Sequence, residues 1–392
     1  MSEIKVNSIK GVGASTAAIT VNTSDGSCAV NNTQRQNKNI IITGAMQVAQ
    51  RGTTNTAGGD GYFTVDRMYY YNAGIDNDVT KAQADVASGT TPYSLGFRKS
   101  FRITNGNQTS PGSGDEILIR QNIEAQDIAN SGWNYTSSSS FITLQYWIKS
   151  SVSQNFYVNL MSIDGTQQNY VTETGTLTAD TWTKVTKTIP GNSNLQFDNN
   201  NEKGLFIQWN VYRGTQATGT RPLNAWAAYS SSSRVPDMAS TWWINTGATF
   251  EITGVQLEVG SHATDFEHNS FAQELALCQR YYELIVERDE GSNAKENCIG
   301  LFWCDGNSFF PWIKFHVKKR AQPTLDISDF TNAFRAYGTG GGVNVSTLGT
   351  NTLHRDGMLL EKAGNPGATG FVRTFVDGSD GLKAIVAASA EL

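Results

Sequence analysis

The sequence is poor in charged residues and in cysteine. Asp, Glu, Lys and Arg make up 17% of its 392 residues, against about 25% in a typical soluble protein. The four cysteines, at positions 28, 278, 298 and 304, are too few and too scattered for a disulfide framework. The spacing of Cys298 and Cys304 matches no zinc pattern, so we expect neither a metal site nor a cofactor. We expect Cys278 to be a small buried hydrophobe.

Clustered positive charge and long apolar runs are also missing. The net charge is −5, and the longest basic run covers only residues 318–320. We therefore expect no nucleic-acid partner, because sequence-independent binding requires many cations against phosphate. No apolar run approaches the length of a membrane span, and no secretory signal follows Met1. We expect synthesis in a cytoplasm and no insertion into a membrane.

The common catalytic motifs are absent as well. The chain contains no Gly-x-Ser-x-Gly, no His-Glu-x-x-His and no Gly-x-x-x-x-Gly-Lys, so we assign no catalytic residue and expect no enzyme. His262 and His268 bracket Asp265 and Glu267 ahead of a helix, where a metal or acid–base role stays open. We favour hydrogen bonding that fixes a turn, because a turn has many backbone groups that need partners.

Small and turn-forming residues are abundant instead. Glycine accounts for 38 residues, about one in ten where about 7% is usual, and Ser, Thr and Asn fill much of the rest. This composition favours a mostly β protein with many turns. The length favours two or three domains.

One stretch, residues 249–282, divides the chain. Apolar and polar residues alternate through its first part, and Gly254 shifts the register by one place, which predicts a half-buried strand with a β-bulge. Ser270 and Gln273 then predict a capping box. The helix would run for about four turns, and its apolar face would consist of residues three or four apart, namely Phe271, Leu275, Cys278, Tyr282 and Ile285.

The remaining pattern predicts a mostly β chain in four parts. Residues 1–40 carry three short strands that cannot bury a core alone, so we favour an anchoring and trimerising arm over disorder. Residues 41–268 would form a jelly-roll β-sandwich. Residues 269–296 would form a short connecting helix and linker, and residues 297–392 a smaller C-terminal β-sandwich.

Individual strands follow from alternation between turn signals. We predict a buried strand at Ile40–Ile42 and eight strands of the jelly roll at 62–71, 96–104, 116–123, 141–150, 155–162, 184–189, 204–212 and 249–258.

Aromatic residues are the best functional signal. Trp133, Trp226, Trp242 and Trp243 lie in polar, loop-like stretches, and an exposed Trp is costly without a cause. Flat indole faces flanked by Asn and Ser donors suit stacking on sugar rings. We predict that these four form a carbohydrate platform, although core packing is the favoured interpretation at each single position.

Several segments resemble virion structural proteins of tailed bacteriophages, particularly marine and cyanobacterial phages. They are ITGVQLEVGSHATDFEHNSFAQELALCQRYYE, NIIITGAMQVAQRG followed by GYFTVDRMYYY, and the end segments MSEIKVNSIKG and ASAEL. In the similar proteins, the first segment closes a carbohydrate-binding-module-like jelly roll. The chain departs from them at Asp265, where a proline is common, and the resemblance supplies no catalytic residue.

The resemblance implies a homotrimeric tail-fibre or receptor-binding appendage that attaches to host surface polysaccharide by multivalent contacts. The arm would bind other virion proteins, either a tail adaptor or nozzle or a capsid protein. We therefore expect the chain in the virion, and we favour the tail over the head. Two alternatives stay open. One is a capsid decoration or head-fibre protein with no receptor role, and the other is a tail-associated glycan hydrolase.

Overall fold

The computed structural model describes eleven stretches of the chain and, as predicted, a mostly β protein. They are residues 8–9, 19–21, 28–30, 37–286, 297–304, 308–328, 334–338, 341–345, 349–363, 370–374 and 385–392.

Three short strands represent the predicted arm. They are β1 (Ser8–Ile9), β2 (Ile19–Val21) and β3 (Cys28–Val30), and they pair in that order as an antiparallel sheet. The rest of the arm up to residue 36 lies outside the described residues. Its anchoring and trimerising roles stay predictions.

Two antiparallel sheets build the large sandwich. Its strands are β4 (Thr54–Asn55), β5 (Gly61–Tyr62), β6 (Met68–Ala73), β7 (Thr80–Asp85), β8 (Lys99–Thr104), β9 (Glu116–Glu124), β10 (Phe141–Ser150), β11 (Asn155–Ser162), β12 (Gln168–Thr176), β13 (Thr183–Pro190), β14 (Lys203–Arg213), β15 (Trp226–Ala228) and β16 (Thr249–Val259). The six-stranded sheet has the order β13-β10-β16-β8-β7-β4, and the seven-stranded sheet β15-β12-β11-β14-β9-β6-β5. Two short helices, α1 (Thr91–Ser94) and α2 (Ala125–Ala129), lie in its connections.

The apolar core lies between these two sheets. Tyr146 of β10 meets Trp209 of β14 edge to face, with ring centroids 5.7 Å apart. Phe156 of β11 and Phe250 of β16 pack in the same way at 5.1 Å. All four side chains are fully buried, which is the arrangement expected when alternate residues of facing strands point inward.

The bulge predicted at Gly254 is confirmed. Between β10 and β16, Gln145 pairs with Gln256 and Trp147 pairs with Thr253, so β16 carries one extra residue there. Gly254 has a φ of +62°, and a Cβ on it would lie 2.7 Å from Cζ of Phe97. Both the backbone angle and the close aromatic ring therefore require glycine.

The strand predicted at Ile40–Ile42 is a turn. β8 pairs with β16 only as far as Ile252, which leaves the edge of β16 beyond the bulge without a neighbouring strand. The chain around residue 40 supplies single bonds to that edge, from Ile40 N to Leu257 O (2.9 Å) and from Val255 N to Gly44 O (2.9 Å). The segment provides hydrogen-bond partners for the edge of β16 beyond the bulge, and it can do so without being an extended strand.

The connecting helix, α3 (Phe271–Gln279), begins as predicted and ends early. Ser270 Oγ accepts a hydrogen bond from Gln273 N, and the Gln273 side chain accepts one from Ser270 N, which completes the capping box. Cys278 is buried as expected, but Phe271 is 56% exposed, so the predicted apolar face is wrong. Among the described residues no helix is long and apolar enough to cross a membrane.

The C-terminal part begins before the predicted linker ends, because Tyr282 already starts a strand. Its strands are β17 (Tyr282–Val286), β18 (Asn297–Cys304), β19 (Ser308–Lys314), β20 (Thr324–Ser328), β21 (Phe334–Gly338), β22 (Gly341–Val345), β23 (Gly349–Leu353), β24 (Gly357–Ala363), β25 (Gly370–Thr374) and β26 (Ile385–Ser389). They form a three-stranded sheet, β17-β26-β20, and a seven-stranded sheet, β22-β21-β25-β18-β19-β24-β23. The predicted helical turn at 282–285 is replaced by pairing with β26.

A buried charge cluster joins this part to the large sandwich. The guanidinium of Arg67 is paired with Glu391 and lies 3.5 Å from the ring centroid of Tyr281. It also donates to Asn122 O at 2.8 Å. Arg51 makes a second ion pair with Glu391 at 3.2 Å. Arg67 is 1% exposed, so its charge requires these partners.

A second carboxylate fixes the end of α3 to the same sandwich. Glu124, at the end of β9, receives two hydrogen bonds of 2.8 Å from Arg280 and one of 2.5 Å from the Tyr281 hydroxyl. A paired Arg–carboxylate contact of this kind sets an orientation as well as a distance.

Gly254 and Gly247 provide a matched test of the bulge. Gly247 also has a positive φ (+77°), but a Cβ there meets nothing within 4 Å. We expect Gly247→Ala to lower the free energy of unfolding by about 1 kcal/mol, and Gly254→Ala by about 2–4 kcal/mol, because the contact with Phe97 adds overpacking. Urea denaturation of both variants measures the difference. Equal losses would contradict the steric role of Phe97.

Asp66 makes the stability of this junction depend on pH. Burial raises its pKa from the usual 3.8 to about 6, despite the nearby charge of Arg51. The stability that this shift contributes is therefore complete below about pH 4 and is lost as the pH rises through about 6. Relative to Asp66→Asn, which cannot titrate, we expect the wild type to gain about 2 kcal/mol from about pH 7.5 to about pH 4.5. A constant difference across that range, measured by denaturant unfolding, would refute this.

Candidate functional site

The structure corrects the predicted platform at three of its four tryptophans. Trp242 and Trp243 are fully buried and Trp133 is 3% exposed. Each indole N–H donates to a backbone carbonyl, from Trp133 to Ser140 (3.2 Å), from Trp242 to Thr249 (3.1 Å) and from Trp243 to Thr109 (3.0 Å). These rings present no face to a ligand. Their loops are polar in sequence, but they fold back so that each large apolar ring leaves water.

Trp226 is the exception, because it is only half-buried. It lies in β15, the edge strand of its sheet, and its ring packs against Tyr170 with centroids 5.2 Å apart. Its indole N–H donates to Pro190 O at 2.7 Å. Ligand binding by Trp226 stays a prediction.

Three other aromatic residues form an exposed surface on the C-terminal seven-stranded sheet. Trp303 of β18 is 60% exposed and Trp312 of β19 is 45% exposed, and Phe310 of β19 is partly exposed. Trp303 and Phe310 are direct cross-strand partners, and their rings stack with centroids 5.6 Å apart and an angle of 24°. We call Trp303, Phe310 and Trp312 the aromatic platform.

Backbone pairing keeps this platform on one side of the sheet. Phe310 and Trp312 are two residues apart, so both point to the face that carries Trp303. Pro311 and Ile313, which alternate with them, are buried. On the next strand, Leu359 is the partner of Trp312. Gly357 lies beside the Trp312 ring. A Cβ atom at position 357 would lie 2.9 Å from Cζ2 of Trp312.

The sequence contained a partial signal for this surface. Its alternation predicts a strand at Phe309–Val317, and two-residue spacing places Phe310 and Trp312 on one face. The opposite face is equally apolar, because Phe309, Pro311 and Ile313 occupy it. Hydrophobicity alone therefore could not show which set would be exposed.

A second surface lies on the outer side of the large sandwich. Asn159, Gln208, Arg120 and Tyr69 are successive partners across β11, β14, β9 and β6. They face away from the core, because the residues next to them in sequence, such as Ile207 and Ile119, are core residues.

Amide groups form the floor of this surface. Asn159 donates to Asn169 at 3.0 Å, and Asn210 donates to Asn159 at 2.9 Å. Gln208 donates to Asn159 (3.3 Å) and to Asn210 (3.1 Å), and Arg120 donates to the Gln208 carbonyl oxygen at 2.9 Å. Such a network holds side chains in fixed orientations in the way that recognition of a polar ligand requires.

The residues around the predicted His–Asp–Glu turn serve structure. Glu267 accepts hydrogen bonds from Asn37 N (2.6 Å) and Asn39 N (2.9 Å). A ring nitrogen of His268 is 2.9 Å from Leu95 O. These contacts confirm the hydrogen-bonding interpretation. In the part of the chain that the structure describes, no group of three or more His, Cys, Asp or Glu side chains could hold a metal ion.

A cleft of about 580 Å³ opens between residues 37–42 and α2. Its one lysine, Lys38, donates to Thr264 Oγ1 (2.5 Å) and to Asp265 O (2.6 Å). This cation is therefore already held by the turn.

Comparison with known proteins assigns no family to the chain. No family model matches the sequence, and no curated protein matches it. Among solved structures, the enzymatically active domain of bacteriophage CBA120 tailspike protein 4 aligns at 12% identity and a TM-score of 0.30, over 57% of this chain and 22% of that one. The chain thus spans about a fifth of the tailspike domain.

Two carbohydrate-binding modules also align. The N-terminal cellulose-binding domain of Cellulomonas fimi β-1,4-glucanase C does so at 11% identity and a TM-score of 0.25, over 55% of this chain and 99% of that one. The family 11 module of Clostridium thermocellum, solved with a mixed-linked tetrasaccharide, also has 11% identity and a TM-score of 0.25, over 54% and 100%. TM-scores this low support no inference about what the chain binds.

Stability separates a buried from an exposed tryptophan. We expect Trp243→Ala to lower the free energy of unfolding by about 3–5 kcal/mol, because it empties a core site. Trp303→Ala removes an exposed ring, and we expect a loss of about 0.5 kcal/mol or less. Urea denaturation of both variants is the measurement. A large loss for Trp303→Ala would contradict a freely exposed platform.

Proposed function

We propose that the chain is a virion structural protein of a tailed bacteriophage, a homotrimeric tail-fibre or receptor-binding appendage that attaches to host surface glycan. The observation that carries this proposal is the aromatic platform. Two tryptophans and a phenylalanine lie on one face of a sheet, and the two tryptophans are 60% and 45% exposed.

The platform suits sugar rings because of its shape and chemistry. Pyranose rings present a face of C–H groups, which packs against the electron-rich face of an aromatic ring. Trp303 and Phe310 are nearly parallel, and Trp312 lies on the same face, so several rings of one chain can be contacted. Exposing this much apolar surface is costly unless a ligand covers it.

The assignment to a virion is supported by the resemblance of the strand–turn–helix and arm segments to phage structural proteins. In the proposal, the arm trimerises the chain and attaches it to a tail adaptor or nozzle. Each stacking contact is weak, so affinity must come from several copies acting together. Linked sites can raise avidity by about 10²–10⁴ over a single contact.

Binding without hydrolysis is the activity that we propose. Hydrolysis of a glycan commonly requires a pair of free carboxyl groups. On the six-stranded sheet, Glu251 is instead paired with Arg102 (3.1 Å) and Lys149 (2.9 Å). On the seven-stranded sheet, Glu116 is paired with Arg213 at 3.0 Å.

Electron microscopy of antibody-labelled virions tests the location. Label on the tail supports an appendage, and label confined to the capsid would instead indicate a decoration or head-fibre protein. Release of reducing sugar from host polysaccharide would instead indicate a glycan hydrolase.

Substitution of the platform tests its role. We expect Trp303→Ala combined with Trp312→Ala to weaken binding of the full-length protein to host polysaccharide by roughly tenfold or more, since each ring contributes about 1 kcal/mol. Phe271→Ala is the matched control, because it removes an exposed aromatic ring on α3 and should leave binding unchanged. Affinity electrophoresis on purified polysaccharide measures all three proteins.

The same variants distinguish a ligand surface from a subunit contact. Light scattering should give the same molecular mass for the wild type and the double variant. A double variant that loses its oligomeric mass while its subunits still bind polysaccharide would contradict the proposal.

A further inference from the structure

We infer a second binding surface, on the large sandwich, that takes the acidic groups of a polysaccharide. The surface is the cationic face, which consists of Arg120, Lys203 and Arg234 around the rings of Tyr69 and Phe206. The inference rests on the proposed function for the choice of a glycan, and it adds the chemical class of that glycan and a site separate from the aromatic platform.

Arg120 is the centre of this face. Its side chain points away from the core, between its cross-strand partners Gln208 and Tyr69. The guanidinium carbon lies 4.4 Å from the ring centroid of Phe206 and 5.7 Å from that of Tyr69. Lys203 Nζ lies 5.7 Å from the same Phe206 ring. Two cations therefore lie against one aromatic ring.

The guanidinium of Arg120 still has donors for a ligand. Its Nε and Nη2 atoms donate to the Gln208 carbonyl oxygen at 3.2 and 2.9 Å. Within the described residues Nη1 makes no hydrogen bond. A guanidinium has five N–H groups in a planar fork that matches the oxygens of a carboxylate, sulfate or phosphate. Gln208 fixes one side of the fork and leaves the other side available.

Two of the three cations of this face lack a counter-charge of their own. Arg120 and Lys203 form no ion pair with any carboxylate in the described part of the chain. Arg213 and Arg234 share the single carboxylate of Glu116, at 3.0 and 3.7 Å. The whole chain has a net charge of −5, so this local excess of positive charge is not a general property of its surface.

The pKa values of Arg120 and Lys203 are each lowered in part by a neighbouring cation. Burial, helped by the charge of Arg234, lowers the pKa of Arg120. Burial and the charge of Arg120 lower the pKa of Lys203. An anionic ligand would relieve this repulsion, and cations held together without a counter-charge are costly otherwise.

A polysaccharide fits the face better than a nucleic acid does. Nucleic-acid binding requires many phosphate contacts along a basic surface, whereas only a few cations gather here on an acidic protein. The neighbouring Asn and Gln side chains are buried and bonded to one another, so they hold Arg120 in place and do not contact the ligand. A carboxylate or a sulfate ester on a sugar would each satisfy Arg120.

Binding of defined polymers to the full-length protein tests this inference. The probes are alginate, which carries carboxylates, dextran sulfate, which carries sulfate esters, and neutral dextran. We expect the protein to bind at least one acidic polymer more tightly than dextran, and we expect that affinity to fall as salt is added. The polymer that binds more tightly shows whether the site prefers a carboxylate or a sulfate ester. Tighter binding of a single-stranded oligonucleotide than of either acidic polymer would overturn the inference.

Charge-removing variants locate the site. We expect Arg120→Gln to weaken binding of the preferred acidic polymer by about tenfold, and Arg120→Gln with Lys203→Gln to weaken it further. Lys184→Gln is the matched control, because it removes the same charge from an exposed position on β13 in the other sheet. It should change the affinity by less than about twofold. Equal losses in Arg120→Gln and Lys184→Gln would show an effect of net charge and overturn the inference.

Two further comparisons keep the result interpretable. Arg120→Lys retains the charge and should recover part of the affinity, which a variant that merely unfolds the sheet would not do. Trp303→Ala with Trp312→Ala should leave the preference for acidic polymers unchanged. If the platform variants lose binding to neutral glycan and the wild type shows no preference for acidic polymers, this inference is overturned and the proposed function is not. If the wild type prefers acidic polymers but the platform variants bind host glycan as tightly as the wild type does, the proposed function is overturned and this inference is not.

Discussion

The buried guanidinium of Arg67 holds the end of the chain against the large sandwich. It is almost completely shielded from water, so its charge needs Glu391, the ring of Tyr281 and the carbonyl of Asn122 as partners. Loss of one partner would leave an unpaired buried charge, which costs about 3–5 kcal/mol. Glu391 follows β26 and Tyr281 precedes β17, and Tyr282 is the cross-strand partner of Ser389. Arg67 therefore holds both strands at one end of the three-stranded sheet.

This junction leaves two outer sheet surfaces with different chemistry. The C-terminal sheet presents apolar rings, led by Trp303, whereas the large sandwich presents cations around Arg120. The two surfaces would contact different parts of one polysaccharide, its ring faces and its acidic groups. Weak contacts of two kinds on one chain would raise selectivity as well as avidity, because a ligand that lacks either feature loses part of the binding energy.

Predictions from the sequence were confirmed where residues close together in the chain determine the local structure. β10 and β11 have the predicted bounds, the capping box at Ser270 is present, and the bulge at Gly254 is confirmed. The predictions were wrong where pairing with a strand that is distant in the chain overrides the local preference. Alternation every three or four residues suited a helix as far as Ile285, but pairing with β26 draws Tyr282 onward into a sheet. The strands β7 and β12 were missed because their sequences, TKAQAD and QNYVTETGT, are polar or small.

The sequence by itself determined the mostly β class, the position of β16 and the start of α3. Alternating polarity, a capping box and a glycine bulge each depend on a few consecutive residues. The sequence also predicted that aromatic residues carry the function. Only the tertiary structure decided which of them are exposed. Trp243 lies in a polar stretch and is buried, whereas Trp312 lies in an apolar strand and is exposed. Exposure depends on which face of a strand meets another layer, and that is decided by residues far away in the chain.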